Sequence, residues 1–276
     1  MNNSAETKNQ LGQETEYVTT YTPSLLAPIP RATQRGALGI AKDPLPFRGF
    51  DIWNAYEFTW LNSRGKPEVA LAQIQVPSQS ANIIESKSLK LYLGSYSGTK
   101  FGLRAEVVSA LEADLALVAG TPVSVTLLSP EQVQHNGIVP TVGQSLDLLD
   151  IDVDEYDWNP DFLVRESDTI VRESLYTNLF MAKCPMTGQP DCASIMIQYH
   201  GANISHEGIL KYLISYREHS EFAEQIAERI FVDLMNRCSP DALTVQARFS
   251  RRGGIDINPY RSHEEKMGPD TRNWRQ

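Results

Sequence analysis

Tyr92-Leu93-Gly94-Ser95-Tyr96 returns 120 positions later as Tyr212-Leu213-Ile214-Ser215-Tyr216, and that recurrence decides how the chain is organised. The flanks repeat at nearly the same offset. Gly65-Lys66-Pro67-Glu68 ahead of the first copy corresponds to Gly188-Gln189-Pro190-Asp191 ahead of the second, and Asp114-Leu115 behind the first corresponds to Asp233-Leu234 behind the second. In each half the turn leads into alternating apolar and polar residues, 69–76 and 193–199, the pattern of a half-buried strand. A helix carrying the Tyr-Leu-x-Ser-Tyr segment follows. A second helix with apolar residues at helical spacing comes next, 105–118 or 224–238, and a closing strand, 123–128 or 243–249, follows Pro or Gly punctuation. Each half therefore predicts a strand-strand-helix-helix-strand unit. The fold class is α+β, with antiparallel sheets and helices on one face.

A chain of 276 residues has room for two units of ordinary size. The expected division is an N-terminal arm (1–48), a first module (49–150), a second module (151–262) and a polar tail (263–276) that is mobile. With 41% hydrophobic residues, four Trp, eleven Tyr and nine Phe the chain can fill a core, and no apolar run approaches membrane-spanning length. The stretch from Met1 to Thr20 is polar, without the apolar centre of a signal peptide, and three cysteines make no disulfide framework, so a cytoplasmic location is expected. A net charge of −9 opposes general affinity for nucleic acid and favours a small-molecule substrate, with no direct tRNA binding. Within the arm, the prolines of Leu25-Leu26-Ala27-Pro28-Ile29-Pro30-Arg31 predict an extended segment laid over the body. Residues 129–168, acidic between Asp147 and Asp161, read as a connection with peripheral strands and no chemistry.

Differences between the copies are informative, because a residue present in one copy alone is not demanded by the shared fold. Only the second copy has Cys184, near the position of Leu61, seven residues before Asp191 across a Pro/Gly-rich bend. A thiol is strongly nucleophilic only as thiolate, and Asp191 can take its proton and return it. Only the first copy has Glu85-Ser86-Lys87-Ser88-Leu89-Lys90-Leu91-Tyr92, whose cations at a helix start suit an anion. Labour divided in this way puts the site where two halves or two subunits meet. Each residue also has a plain structural use: Asp191 as a turn cap, Glu85 and Glu224 as first-turn acids, the Lys and Arg residues as solvated charges, Cys238 as core. The five His residues show no ligand spacing, so no metal is predicted.

The segments Glu85 to Tyr92, Cys184 to Asp191 and Arg251-Arg252-Gly253-Gly254-Ile255-Asp256-Ile257-Asn258-Pro259-Tyr260 occur in one order with Tyr21-Thr22-Pro23-Ser24-Leu25-Leu26 and Gly49-Phe50-Asp51-Ile52-Trp53. In these the chain resembles the NADPH-dependent 7-cyano-7-deazaguanine reductases, the nitrile reductases of queuosine biosynthesis, in their long two-module form. The resemblance runs from about Leu11 to Ser262. It implies tandem tunnelling-fold (T-fold) units whose sheets assemble into a barrel across subunits, in a homodimer. It implies that Cys184 adds to the nitrile to give a thioimide while Asp191 moves the proton, and that NADPH is consumed twice on the way to the primary amine. Glu85, Ser86, Phe222 and Glu224 would line the pocket for the 7-deazaguanine base, Phe222 by stacking. Lys87, Ser88, Lys90, Arg251, Arg252 and Gly253 would meet NADPH. No Gly-x-Gly-x-x-Gly fingerprint joins a strand to a helix, so the cofactor would be held without a Rossmann domain.

One departure stands out. The family commonly reads Phe-His-Glu-x-Cys where this chain reads Phe222-Ala223-Glu224-Gln225-Ile226. The resemblance then implies that Asp191, water or another residue does without the histidine, and that Ile226 removes a possible protective disulfide with Cys184. His219 is too few residues away to be assumed a substitute, and alternation sends Cys192 to the face opposite Asp191. Two other classes remain open: a T-fold hydrolase or cyclohydrolase acting on a purine or pterin, which needs zinc ligands not evident here, and a non-catalytic purine-binding protein.

Overall fold

A computed structural model describes residues 17–40, 44–263 and 271–276. Its elements in chain order are β1 (Pro28–Pro30), α1 (Arg31–Ala37), β2 (Arg48–Leu61), β3 (Pro67–Pro77), β4 (Asn82–Ile84), α2 (Ser86–Gly94), α3 (Arg104–Ala119), β5 (Ser124–Leu128), α4 (Pro130–Asn136), β6 (Gln144–Ser145), β7 (Arg165–Lys183), β8 (Pro190–Ile204), α5 (His206–Ile214), α6 (Ala223–Cys238), β9 (Ala242–Phe249) and β10 (Ile255–Ser262). Short 3-10 turns follow α2 and α5. The fold is α+β. One eight-stranded sheet has the order β5-β3-β2-β10-β9-β8-β7-β6, antiparallel except for the two-residue β6.

The duplication read from sequence is a duplication of structure. β2-β3-α2-α3-β5 and β7-β8-α5-α6-β9 run in the same order, and each has its own core. In the first, Val107, Leu111, Leu115 and Ala119 of α3 repeat every four residues and press on β2 and β3. In the second, Ile226, Ile230, Phe231 and Leu234 of α6 do the same over β8 and β9. The repeated Tyr-Leu-x-Ser-Tyr segment is a buried hydrogen-bond device. Tyr92 and Tyr96 hydroxyls meet at 2.7 Å and Tyr92 donates to Asp114 (2.7 Å); Tyr212 and Tyr216 meet at 2.7 Å and Tyr212 donates to Asp233 (2.6 Å). Burial and these carboxylates hold the tyrosines far above their usual pKa, so they remain neutral donors that fasten the two helices of each unit together.

The units are joined through β10, which the sequence pattern had not marked as a strand. It pairs with β2 along all eight of its residues, from Ile255↔Ala55 to Ser262↔Arg48, and with β9 only over Tyr260–Ser262. Pro259, with no N–H to give, thus lies just before the ladder to β9 begins. Arg261 of β10 is fully buried at this joint. It pairs with Asp51 of β2 at 2.8 Å and Glu228 of α6 at 2.9 Å. Arg35 of α1 also contacts Glu228 at 2.7 Å through one nitrogen and 2.9 Å through another, and Arg31 joins both acids. Burial alone would raise both carboxyls; Arg261 and its neighbours hold them below the ordinary range.

Three expectations need correction. Residues 129–168 contain helix α4, whose start is a capping box: the Ser129 hydroxyl accepts from the Gln132 N–H, the Gln132 side chain accepts from the Ser129 N–H at 2.8 Å, and Pro130 stands at the first helical position. The proline-rich arm is extended at Leu26 and in β1, which pairs with β4, but a helix starts immediately after Pro30. The tail is not loose throughout. Residues 264–270 lie outside the described part, but Asn273 and Gln276 are buried, Gln276 donates to Asn258, and Arg272 lies 5.0 Å from the Tyr56 ring. The polar start falls outside the described residues as far as position 16. No helix among the described residues is long and apolar enough to cross a membrane.

The buried joint makes a stability prediction. Arg261→Met leaves Asp51 and Glu228 short of their shared cation, and urea denaturation should show a loss of about 3–5 kcal/mol. A loss under about 1 kcal/mol would mean that Arg31 and Arg35 suffice without it.

Candidate functional site

Asn62 and Cys184 occupy equivalent turns. In the first unit Asn62 N–H donates to Lys66 O (2.9 Å) and Gly65 N–H to Asn62 O (2.8 Å); in the second, Cys184 N–H donates to Gln189 O (2.9 Å) and Gly188 N–H to Cys184 O (2.8 Å). The Asn62 side chain is spent on its own turn, accepting from the N–H groups of Arg64 and Lys66. Its counterpart carries a thiol instead, and within that turn the Thr187 hydroxyl accepts from the Gln189 N–H at 3.3 Å. Gly188 has φ +69°, the left-handed conformation that glycine adopts without penalty.

Cys184 and Asp191 line one cavity between the two units. From the first unit come Trp53, Ile83, Ile84, Ser86 and Lys90; from the second Phe222, Ala223, Glu224, Phe249, Ser250 and Arg252; and from β10 Ile255 and Ile257. Seven of the twelve residues singled out in sequence for catalysis, base binding or cofactor binding are therefore brought together here: Cys184, Asp191, Ser86, Lys90, Phe222, Glu224 and Arg252.

The other five sit elsewhere. Glu85 caps α2, its carboxylate accepting from the N–H groups of Lys87 (2.9 Å) and Ser88 (2.7 Å). The Ser88 hydroxyl is turned inward, donating to Glu85 O and accepting from Ala27 N–H. Lys87 is on the first turn of α2, Arg251 lies 4.6 Å from the Tyr56 ring, and Gly253 borders a second cavity with Glu57, Thr59 and Gly254. Lys90 and Ile255 line both cavities and so form the seam between them. His219 is outside the cavity, 3.0 Å from Glu221 and against the rings of Trp158 and Tyr216. Cys192 opens into a different cavity beside Leu179 and Arg217, and Cys238 and Ile226 are core.

Electrostatics suit proton exchange. Burial would raise the Cys184 thiol, but hydrogen bonds from the Thr187 and Arg252 side chains and the backbone of Met186 and Thr187 bring it below its usual value. Burial raises Asp191 above the usual carboxylate value, with Arg252 and Lys90 recovering only part of the shift. The two groups thus approach one another in acidity. Burial and Arg252 push Lys90 down, while Glu85, Asp191 and Cys184 pull it back. Glu224 is 2% exposed, and its Oε1 has no hydrogen-bond partner among the described residues. Burial and the charge of Asp51 push it up to about 8 against the pull of Arg31 and Arg261, so at neutral pH it is mostly protonated. A buried carboxyl oxygen without a partner can accept a hydrogen bond from a donor placed in the cavity.

Sequence reading missed Trp53, Ile83, Ile84 and Phe249 as cavity walls and Thr187 and Gln189 as partners in the Cys184 turn. Thr187 and Gln189 lie inside the very run that held Cys184 and Asp191. The apolar walls carried no signal, since core positions of three separate strands look alike in sequence.

The chain is similar to proteins of known description. A family model described as nitrile reductase, 7-cyano-7-deazaguanine-reductase N-term, matches residues 17–127, and one described as QueF-like protein matches residues 190–267. The NADPH-dependent 7-cyano-7-deazaguanine reductase of Hydrogenovibrio crunogenus is 48% identical over 261 residues, 94% of each chain. That of Burkholderia thailandensis is 49% identical over 261 residues, 94% of this chain and 95% of its own. Among solved structures, the archaeosine synthase QueF-Like in the apo form aligns with 35% of this chain and 95% of its own at 19% identity, with a TM-score of 0.30.

The raised Glu224 carboxyl predicts a pH signature. Between about pH 4.5 and 8 the folded state holds a proton that the unfolded chain releases, so this group's contribution is fully present at low pH and is lost as pH rises through about 8. Thermal unfolding of wild type should therefore lose stability relative to Glu224→Gln from pH 5 to pH 8, at up to about 1.4 kcal/mol per pH unit. Parallel Tm curves would contradict the assignment.

Proposed function

Because the chain belongs to the family of NADPH-dependent 7-cyano-7-deazaguanine reductases, we propose that it reduces its nitrile through a covalent thioimide on Cys184 and supplies the resulting amine to tRNA queuosine biosynthesis. The chain is an oxidoreductase acting on a nitrile, with NADPH as cofactor. The single observation that carries the mechanism is one cavity holding a thiol of lowered pKa, a carboxyl of raised pKa, and a buried unpaired Glu224.

A nitrile carbon accepts hydride poorly until its nitrogen is protonated. In this reading the Cys184 sulfur bonds to the carbon, one π pair of the triple bond moves to nitrogen, and Asp191 delivers the proton that the thiol gave up. Glu224 accepts from the ring N–H and exocyclic amine of the 7-deazaguanine base, whose two donors match two carboxylate oxygens. It must lose its own proton to do so. Phe222 stacks on the ring, and Ser86 at the start of α2 completes the pocket. Glu85 contributes by fixing that helix start through its cap. The apolar walls exclude water from the imine that follows.

The cationic seam at Lys90 fits a cofactor that bears phosphates, and Lys87, Lys90 and Arg251 with the backbone at Gly253 would hold it beside the second cavity. When bound, NADPH supplies a hydride at each of the two reduction stages. The same reading makes 49–150 and 151–262 two T-fold modules in a cytoplasmic homodimer whose sheets close into a barrel across subunits. The free base is the substrate, and the net charge of −9 argues against tRNA binding.

Incubation with 7-cyano-7-deazaguanine without NADPH should add the mass of one base per chain by intact-mass analysis, in wild type and not in Cys184→Ala. Asp191→Asn should slow adduct formation about 100-fold or more while leaving base affinity near wild type. An unmodified wild-type chain would favour mere purine binding.

Ligand binding gives a second check. Base binding at pH 7 should release close to one proton per site, read as a dependence of the calorimetric heat on buffer ionisation enthalpy, and Glu224→Gln should abolish it.

A further inference from the structure

We propose that Glu57 is a cofactor-binding residue, its carboxylate taking the 2′- and 3′-hydroxyls of the ribose that carries the nicotinamide. The proposal rests on the reading that NADPH occupies the second cavity, and it names the group that recognises the sugar there.

A strand bulge aims this side chain. Ala55 pairs with Ala72 and Phe58 with Ala70, so Tyr56 and Glu57 of β2 stand opposite the single residue Leu71 of β3. A bulge of this kind bends the strand and turns a side chain out of the regular alternation. Tyr56 is spent inside the fold: its N–H donates to Gly254 O at 2.9 Å and its hydroxyl to Asp256 at 2.6 Å. Glu57 is exposed and borders the second cavity, and among the described residues its carboxylate has no hydrogen bond or ion pair.

Duplication shows that the fold does not demand this acid. The second unit has the same bulge, where Asn178 and Leu179 of β7 face Ser194 of β8. Leu179, at the position of Glu57, is itself 44% exposed, so the bulge accepts an apolar residue as readily as a charged one. Like the thiol, the carboxylate occurs in one copy alone.

The wall beside Glu57 is bare backbone. Gly253 and Gly254 have φ of +62° and +75°, as the two central residues of a type I′ hairpin require, and the Arg252 N–H closes the hairpin on Ile255 O at 2.9 Å. A Cβ on Gly254 would stand 2.8 Å from the Glu57 carboxyl group, and one on Gly253 would stand 3.4 Å from the Lys90 chain. The hairpin therefore meets the acid with one glycine and the cation with the other. Neither puts a side chain into the cavity that Glu57 and Lys90 share.

Charge decides which part of NADPH an acid can meet. A carboxylate repels the diphosphate and the 2′-phosphate of the adenosine sugar, both of which suit lysine. Its two oxygens accept from a vicinal diol, and in NADPH only the nicotinamide ribose has both hydroxyls free. Position agrees with charge. Hydride must reach the carbon held on Cys184 in the first cavity, so the sugar next to the nicotinamide falls at the seam of Lys90 and Ile255, where the two cavities meet.

Binding, not turnover, is the test. In equilibrium titrations of the protein without nitrile, Glu57→Leu should weaken NADPH about tenfold or more, and Glu57→Gln, which keeps one acceptor, about threefold. Wild type should bind an NADPH analogue whose nicotinamide sugar lacks the 2′-hydroxyl about tenfold less tightly than NADPH, whereas Glu57→Leu should bind the two within about twofold of each other. Thermal unfolding of both variants should match wild type, since the second unit seats a leucine at the same bulge. Unchanged NADPH affinity in Glu57→Leu overturns the proposal, and so does discrimination between the two ligands that persists in that variant. Lys90→Met separates two ways of failing. If it weakens NADPH while Glu57→Leu does not, the acid alone is misassigned; if neither substitution weakens it, the cofactor lies outside the second cavity and the reading beneath the proposal falls with it.

Discussion

A fully buried arginine, Arg261, holds the molecule at its midline. It stands between Asp51 of the first unit and Glu228 of the second, with Arg31 and Arg35 of the N-terminal helix completing the cluster. Each half has its own apolar core and its own Tyr-Tyr-Asp fastening, with Ile255 of β10 reaching into the first core and Phe47 into the second. Their relative placement depends on the joint, which is built of charge. Ion pairs removed from water are costly unless every partner is present, and so they penalise a misplaced unit far more than an apolar contact would.

The same cluster tunes the site. Glu224 is four residues, about one helical turn, before Glu228 on α6, and burial together with the charge of Asp51 raises its pKa while Arg31 and Arg261 stop it from climbing further. The cavity therefore has a floor that is neutral when empty and can become anionic when hydrogen-bond donors arrive. The structural ion pairs thus act on the cavity through charge, and the N-terminal helix contributes without lining it.

Duplication separates what the fold requires from what the chemistry requires. The Tyr-Tyr-Asp networks, the Gly-x-Pro-acid turns and the strand bulges occur in both units, Ala55/Phe58 in one and Thr177/Phe180 in the other. The thiol, the two-glycine hairpin and the cations of α2 occur once each. In the first unit the equivalent side chain, Asn62, caps its turn.

The order of elements, the α+β class and the doubled architecture were legible from residues alone, because helix and strand periodicities and a 120-residue recurrence are local signals. Cys184 and Asp191 were legible as a pair because one short turn joins them. Helix α4 was written in Ser129-Pro130-x-Gln132 and passed unread. Other features were out of reach. Nothing local shows that Arg252 turns onto Asp191, that Glu85 is engaged in a cap, that Arg261 is buried, or that Ile83, Trp53 and Phe249 share one wall. Such facts depend on which strands become neighbours, and the pairing of β10 with β2 joins residues about 200 positions apart. Local pattern determined the parts and the reactive turn, whereas burial and charge, which only tertiary packing assigns, decided where they meet and in which protonation state.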